Sequence, residues 1–510
     1  FWKAGVDKKA LQFAPCSGAT VGQKLVSHVD VDSVILTGGT ETALTMLQHQ
    51  PNMHLLAETG GKDATIVTSM SDHDQAIKHL LQSAFGHSGQ KCSATSLLIL
   101  EEDLFYDKKF KQTLCDAVKS LTIGSAWDLS TRIGPLIKPP EGSLETALKE
   151  LEPGESWAVL PRQINGNPQL YSPAIKWNVQ PGSFTHMTEF FGPVLGVMKA
   201  KNLEEAVELV NQTGFGLTSG LESLDDREQK FWKENIRAGN LYINRVTTGA
   251  IVLRQPFGGM GKSIFGPGIK AGGPNYVAQL MTFKETTPLD EKSSRDAIQH
   301  SLLRSLCQQL SQQESSFSEM TDHEIRRIES AIISYEEAMQ TEFSIEHDHF
   351  KLVGEDNIRR YLPVAVVRVR VHPDDSFFEI VARIVAAHVV GCRVVVSQPL
   401  EWESSIIALL DRLTDPWAGA IEFIEESDEE LATVLLDKLP GRIRFSSPER
   451  VPDCIRSAVA QTGMCIVDTP VSGHGRIELL WYMREQSISF DYHRYGNLGQ
   501  RAKEKRGKVL

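Results

Sequence analysis

Cysteine is scarce in this chain: there are seven in 510 residues, and no two form a C-x-x-C pair. That excludes a disulfide framework and points to a reducing, cytoplasmic compartment, where a special cysteine would be a nucleophile. Positive charge is also short. Lys and Arg total 53 against 65 Asp and Glu, a formal net charge of -12. An acidic balance argues against nucleic acid as the main partner, because phosphate binding needs a basic face. No run approaches eighteen uninterrupted apolar residues, so no membrane span is expected. The most apolar helix-like stretch, 377–392, is broken by Glu379, Arg383 and His388. No metal site is expected. What is abundant is ordinary globular material: 41% hydrophobic and 23% charged residues, in a length that suggests about three domains. The first residue is Phe rather than Met, and structured-looking sequence follows at once, so the chain is expected to be a piece of a longer protein.

Two regions alternate strand-like and helix-like segments, which predicts α/β architecture with mostly parallel sheets. In the first, spanning 1–283, strands are expected at 34–36, 64–67 and 96–100. Helices are expected from Glu41 and over 72–85, the latter with Asp72 as its N-cap. In the second, 361–470, five short strands at 364–371, 393–397, 420–424, 442–445 and 465–468 alternate with helices, a Rossmann-like pattern. No G-x-G-x-x-G follows any of these five strands, so this unit is expected to be structural and to bind no nucleotide. Between the regions, 286–294 reads as a polar linker containing a Pro, and 294–339 as a pair of polar surface helices. The whole of 284–360 is therefore expected to be a helical linker. The basic last ten residues read as a solvated, frayed tail closing the segment 471–510.

Chemistry concentrates in glycine-rich loops. Cys92 stands in Gly89-Gln90-Lys91-Cys92-Ser93, between a helix end and a strand. Nearby backbone N–H groups and the adjacent Lys91 are expected to lower its thiol pKa. Thirty-four residues earlier, Glu58 opens Glu58-Thr59-Gly60-Gly61-Lys62 at a strand end. A second carboxylate, Glu189, begins Glu189-Phe190-Phe191-Gly192-Pro193, and Pro256-Phe257-Gly258-Gly259 follows Thr247-Thr248-Gly249-Ala250.

In this order and spacing, the four elements resemble the aldehyde dehydrogenase superfamily. The stretches 245–257 and Lys270-Ala271-Gly272-Gly273-Pro274-Asn275-Tyr276 are similar to the glutamate-semialdehyde (1-pyrroline-5-carboxylate) dehydrogenases. They look most like the dehydrogenase half of the bifunctional proline utilization A proteins. The 475–480, 485–489 and 493–498 segments resemble the C-terminal motif of that family's longer members, which carry a non-catalytic aldehyde-dehydrogenase-like domain.

The resemblance implies NAD-dependent oxidation of glutamate semialdehyde, with Cys92 as nucleophile and Glu58 as the base for thioester hydrolysis. It implies cofactor contacts from Glu189, Phe191, Gly38 and Gly39, and substrate contacts from Ser93, Gly249, Ala250 and Phe257. It also implies a homo-oligomer, 1–57 as the remainder of an NAD-binding domain, 58–283 as the catalytic domain, and a tail at 493–498 that docks back on the catalytic domain. FAD is expected only in a proline dehydrogenase domain upstream of residue 1. The family's oxyanion-hole Asn and adenosine-ribose Lys are likewise expected upstream, so the given chain is expected to bind NAD poorly. Two departures stand out: Thr37-Gly38-Gly39-Thr40 lacks the family's usual Ser, and Lys91 replaces Arg. An aldehyde dehydrogenase for another carboxylate-bearing substrate, and a structural piece inactive in isolation, remain the alternatives.

Overall fold

The computed structural model describes residues 1–285, 295–313, 320–400, 402–437 and 441–507. The expected polar linker at 286–294 lies outside the described residues.

The largest element is a nine-stranded sheet. Seven neighbouring strands run parallel in the order Met483–Asp491, Asn240–Ile243, Thr218–Glu222, Ala64–Val67, Leu97–Glu101, Val194–Ala200, Ala174–Trp177. Glu355–Pro363 and Ser156–Val159 close the two edges in antiparallel sense. The central strands read as apolar runs because both faces are covered, as parallel sheets require. Helix His73–Phe85 packs on one face through Ala76, Ile77, Leu80 and Ala84. Its N-cap is Asp72, as the sequence predicts, accepting from the Gln75 amide at 3.2 Å. Helix Leu203–Gln212 covers the other face.

A smaller sheet pairs Val34–Thr37 in parallel with Leu55–Glu58, and Ile264–Phe265 antiparallel to the latter. Helix Thr40–His49 follows its first strand. Glu58 thus ends a central strand, with Thr37 on one side and Ile264 on the other.

The expected Rossmann-like unit is present. Its five strands are all parallel, in the spatial order Ile421–Glu425, Arg393–Gln398, Val366–Arg370, Arg442–Arg444, Cys465–Val467. Helix Phe377–Val390 starts at a capping box in which Ser376 and Glu379 satisfy each other's backbone amides. It is buried nearly all round. Arg383, a break in the apolar run, is fully buried and pairs with buried Asp375 at 2.6 Å. Its remaining donors reach the carbonyls of Glu379, Arg370 and Arg444. A buried guanidinium is tolerable only with such complete pairing.

The structure corrects two expectations. First, 284–360 is not a polar linker with surface helices. Helices Ser301–Gln312 and Asp322–Ala338 bury Leu303, Leu306 and Leu310, and Ile325, Ile328, Ile332 and Tyr335, in the core of the C-terminal unit. Those residues recur at three- and four-residue intervals, so each helix has a narrow apolar stripe within a polar composition. The region then ends in strand Glu355–Pro363, which belongs to the large sheet and not to a domain starting at 361.

Second, the basic end of the chain is not a frayed tail over its described residues, 501–507. Strand Met483–Asp491 inserts between two others of the large sheet. Beyond it, Arg501 and Arg506 both pair with Asp356 and lie over the Tyr492 ring. The 493–498 segment docks on the catalytic region as expected. Arg494 donates to Asp72 at 2.8 Å and Tyr495 at 3.4 Å, onto the N-cap of the helix that leads toward Cys92.

Among the described residues, no helix is long and apolar enough to cross a membrane. All seven cysteines are unpaired.

Candidate active site

Close backbone approach brings the four glycine-rich motifs together. The Gly61 amide donates to Glu189 at 3.3 Å, and a β-carbon at Gly60 would lie 1.9 Å from the Glu189 carboxylate. Only glycine permits that contact. On the far side of Glu58, the Gly259 amide donates to its carboxylate at 2.9 Å. A β-carbon at Gly258 would stand 2.6 Å from the other carboxylate oxygen. The Cys92 loop is tied to the Phe191 loop by Gln90, whose side-chain amide donates to the Phe191 carbonyl at 3.3 Å. Thr247, at the base of the Gly249-Ala250 loop, donates to the Ser93 carbonyl at 3.1 Å.

Helix His73–Phe85 stops where His87, Ser88 and Gly89 take left-handed conformations, with φ of 54°, 58° and 69°. That turn delivers Cys92 to the mouth of strand Leu97–Glu101, half-buried. Contrary to expectation, its thiol is pushed up to about 11. Burial is the first cause, and the carboxylates of Asp63, Glu189 and Glu58 add to it. The amide at Ser93 opposes them. Burial and three carboxylates brought in from other loops prevail over it. A thiol in this environment is protonated at neutral pH and needs a base to become a nucleophile. Iodoacetamide alkylation of Cys92 in the ligand-free protein is therefore expected to rise about tenfold per pH unit from 7 to 9, without a plateau. Peptide mass spectrometry measures this rate, and a plateau below pH 8 would contradict it.

Burial also raises the Glu58 carboxyl, against the opposing effects of Lys270 and the Gly259 amide. A raised carboxyl is suited to take a proton near neutrality. Glu189 is raised by burial too, offset by the Gly61 amide and Lys62.

The other expected positions sit around this centre. Ser93 is buried. Phe257 is half-buried and exchanges backbone hydrogen bonds with Ala271 at 2.8 and 2.9 Å. Gly249 and Ala250 are exposed on their loop, where Gly249 has a φ of 91°. Phe191 is 41% exposed. Gly38 and Gly39 are exposed at the start of helix Thr40–His49, and the Gly38 amide donates to the Glu58 carbonyl at 3.3 Å.

Sequence reasoning did not single out several charged neighbours. Lys62 is fully buried, stands 4.1 Å over the Phe190 ring, and is pushed down to about 7 by burial. Asp63 accepts from the Thr218 amide at 2.7 Å. Lys270 is buried and donates to Asn240 at 3.0 Å and to the Gly258 carbonyl. Lys62, Asp63 and Lys270 lie in or beside the motifs quoted above, but sequence carries no sign that they are desolvated. Gln255, also within a quoted motif, braces the Gly249-Ala250 loop by accepting from the Ile251 amide at 2.9 Å. It is itself held by Glu355 and Asn357 from the edge strand Glu355–Pro363 and by Ser489 from its neighbour Met483–Asp491.

A largely parallel α/β fold thus brings a half-buried loop cysteine within electrostatic reach of a strand-end glutamate and a second loop carboxylate, an arrangement suited to thiol chemistry. The comparisons make this specific. The aldehyde dehydrogenase family model matches residues 1–286, and the chain belongs to that family. It is 34% identical over 298 residues to the 1-pyrroline-5-carboxylate dehydrogenase of Geobacillus sp. (strain WCH70), covering 56% of this chain and 57% of that protein. The corresponding Bacillus subtilis (strain 168) enzyme is 34% identical over 296 residues, covering 56% of each chain. Among solved structures, proline utilization A from Corynebacterium freiburgense superposes with a TM-score of 0.78 at 37% identity. That match covers 97% of this chain and 45% of the other. A Thermus 1-pyrroline-5-carboxylate dehydrogenase with bound NAD gives a TM-score of 0.50 at 31% identity, covering 54% of this chain and 55% of that one.

Proposed function

We propose that this chain carries the nucleophile and base of an NAD-dependent dehydrogenase that oxidises L-glutamate γ-semialdehyde to L-glutamate. The observation that carries the reading is the meeting of Cys92, Glu58 and Glu189 in one site, each on a glycine-rich loop. The relatives named above support the substrate, and the likeness to a proline utilization A over most of the chain supports a place in proline oxidation.

The residues present suit NAD. Gly38 and Gly39 leave the N-terminus of helix Thr40–His49 open, with no side chain capping it, and such a terminus attracts phosphate. Glu189 is oriented by the Gly61 amide to accept from ribose hydroxyls, beside exposed Phe191. The chemistry a bound nicotinamide supplies is hydride acceptance, which carries the Cys92 adduct from the aldehyde to the acid oxidation level.

The chain's own residues do the rest. Cys92 adds through sulfur to the aldehyde carbon as the carbonyl π bond opens, and its proton ends on the former carbonyl oxygen, giving a thiohemiacetal. Ser93 and the backbone amides of Gly249 and Ala250 hold the substrate carboxylate, and Phe257 packs against its carbon chain. Small residues suit that grip because they leave N–H groups accessible to an anion. At the thioester stage, Glu58 takes a proton from water, which attacks the acyl carbon and expels the Cys92 thiolate.

NADH formation with glutamate semialdehyde and with propanal tests the carboxylate grip. The semialdehyde is expected to be preferred in kcat/KM by on the order of 10⁴-fold, because binding sites left without their polar partner discriminate strongly. Equal use of both aldehydes would reject the substrate assignment.

A further inference from the structure

Three elements distant in sequence converge behind Glu58. The first is the Gly258-Gly259 loop, whose Gly259 amide grips the Glu58 carboxylate at 2.9 Å. The second is Lys270, which donates to the Gly258 carbonyl and to Asn240 at 3.0 Å. Asn240 in turn accepts from the Gly258 amide at 3.1 Å and donates to the Pro256 carbonyl at 3.0 Å. The loop that carries the grip on Glu58 is therefore locked around the Lys270 ammonium. The third is Glu485, on strand Met483–Asp491, more than two hundred residues further along. Its carboxylate is buried, accepts from the Lys270 amide at 2.8 Å and from the Asn275 side chain at 2.5 Å.

We propose that Glu485 is a positioning residue for the base, holding Lys270 so that its ammonium and the loop it locks keep Glu58 ready to ionise. The proposal rests on the reading of Glu58 as the hydrolytic base.

The electrostatics run in one direction. Burial lowers the Lys270 ammonium, and Glu58 and Glu485 are the two carboxylates that restore it. A charged Lys270, ahead of the Gly259 amide, holds the Glu58 carboxyl down against its burial. Removing the Glu485 charge lets Lys270 lose its proton at lower pH, and Glu58 then rises. The other charged or titratable groups facing these three are Cys92 and Tyr276 toward Glu58, and Arg359 and Tyr361 toward Glu485. Burial also raises Glu485 itself, against the Lys270 amide, Asn275, Arg359 and Lys270.

The test uses p-nitrophenyl acetate, which acetylates Cys92 and releases p-nitrophenolate without dinucleotide or aldehyde. The steady rate after the burst reads attack of water on acetyl-Cys92, so it isolates the base from both the thiol and the substrate assignment. In the intact wild-type protein this rate is expected to climb with pH through a single acidic limb. Glu485→Gln keeps the shape and an acceptor oxygen but removes the charge. Its limb is expected to move up by about one pH unit, with the burst amplitude retained. Lys270→Met is expected to move the limb in the same direction and further. A Glu485→Gln limb that superimposes on wild type, or a uniform loss of rate with the limb unmoved, overturns the proposal and leaves Glu485 a packing group. A Lys270→Met limb that stays in place overturns it as well, even if Glu485→Gln fails to fold. A wild-type protein with no ester turnover rejects the base assignment and this inference together. A protein that hydrolyses the ester with the expected shifts but makes no NADH from glutamate semialdehyde rejects only the proposed substrate.

Discussion

In the full-length protein, Cys92→Ala is expected to abolish NADH formation from glutamate semialdehyde, lowering kcat by on the order of 10⁴-fold or more while leaving the fold intact. Loss of a nucleophile that works as a unit with its base costs orders of magnitude, and the remaining machinery does not substitute for it. Six other free cysteines are present, but Cys115, Cys307 and Cys392 are buried in cores, Cys454 and Cys465 lie on a helix and a strand of the C-terminal unit, and Cys16 is exposed. The removed sulfur is half-buried in a loop, so the variant loses little packing. Circular dichroism and thermal melting check the fold, and NADH absorbance checks the rate. Near-normal turnover in this variant would refute the nucleophile assignment.

The second large effect is in Glu58→Gln. The first turnover is expected to proceed, giving a burst of about one NADH per site, after which the thioester persists and turnover stalls. Glutamine keeps an oxygen for the Gly259 amide, so the loop is retained while the proton acceptor is lost. Stopped-flow absorbance reads the burst, and intact-protein mass reads the acyl adduct on Cys92. A variant with no burst would assign Glu58 the earlier task of taking the Cys92 proton. That outcome is chemically distinct because Glu58 is one of the groups that hold the thiol protonated.

In the wild type, the sign of the pH dependence follows from the raised Glu58 carboxyl. Hydrolysis is fastest above its pKa, where it is ionised, and falls as pH drops through it. Because burial raises that pKa, the loss begins nearer neutrality than for an ordinary carboxylate.

Much of the fold was legible from the chain. Alternating periodicity located three strands of the first α/β region and all five of the second, and the Asp72 cap and the 377–390 helix appear where the sequence puts them. The four glycine-rich motifs were legible as well, because close backbone approach leaves a compositional mark at each loop. Composition misled in 301–338, where polar residues outnumber a narrow buried stripe, so two core helices read as surface. It misled again at 501–507, where Arg501 and Arg506 pair with Asp356. A docked basic segment and a frayed one have similar local sequences until the partner is known.

By itself, the sequence determined the family and nominated which cysteine, which carboxylates and which loops would carry its chemistry, since these depend on residue type and local backbone freedom. The tertiary structure alone decided the electrostatics and the support. It buried Cys92 among Asp63, Glu189 and Glu58 and so raised a thiol that its sequence neighbours seemed placed to lower. It also carried Glu485 across more than two hundred residues to Lys270, and through it to the base. Desolvation and charge–charge interaction depend on distance through space and on the exclusion of water, and neither is encoded at any single position along the chain.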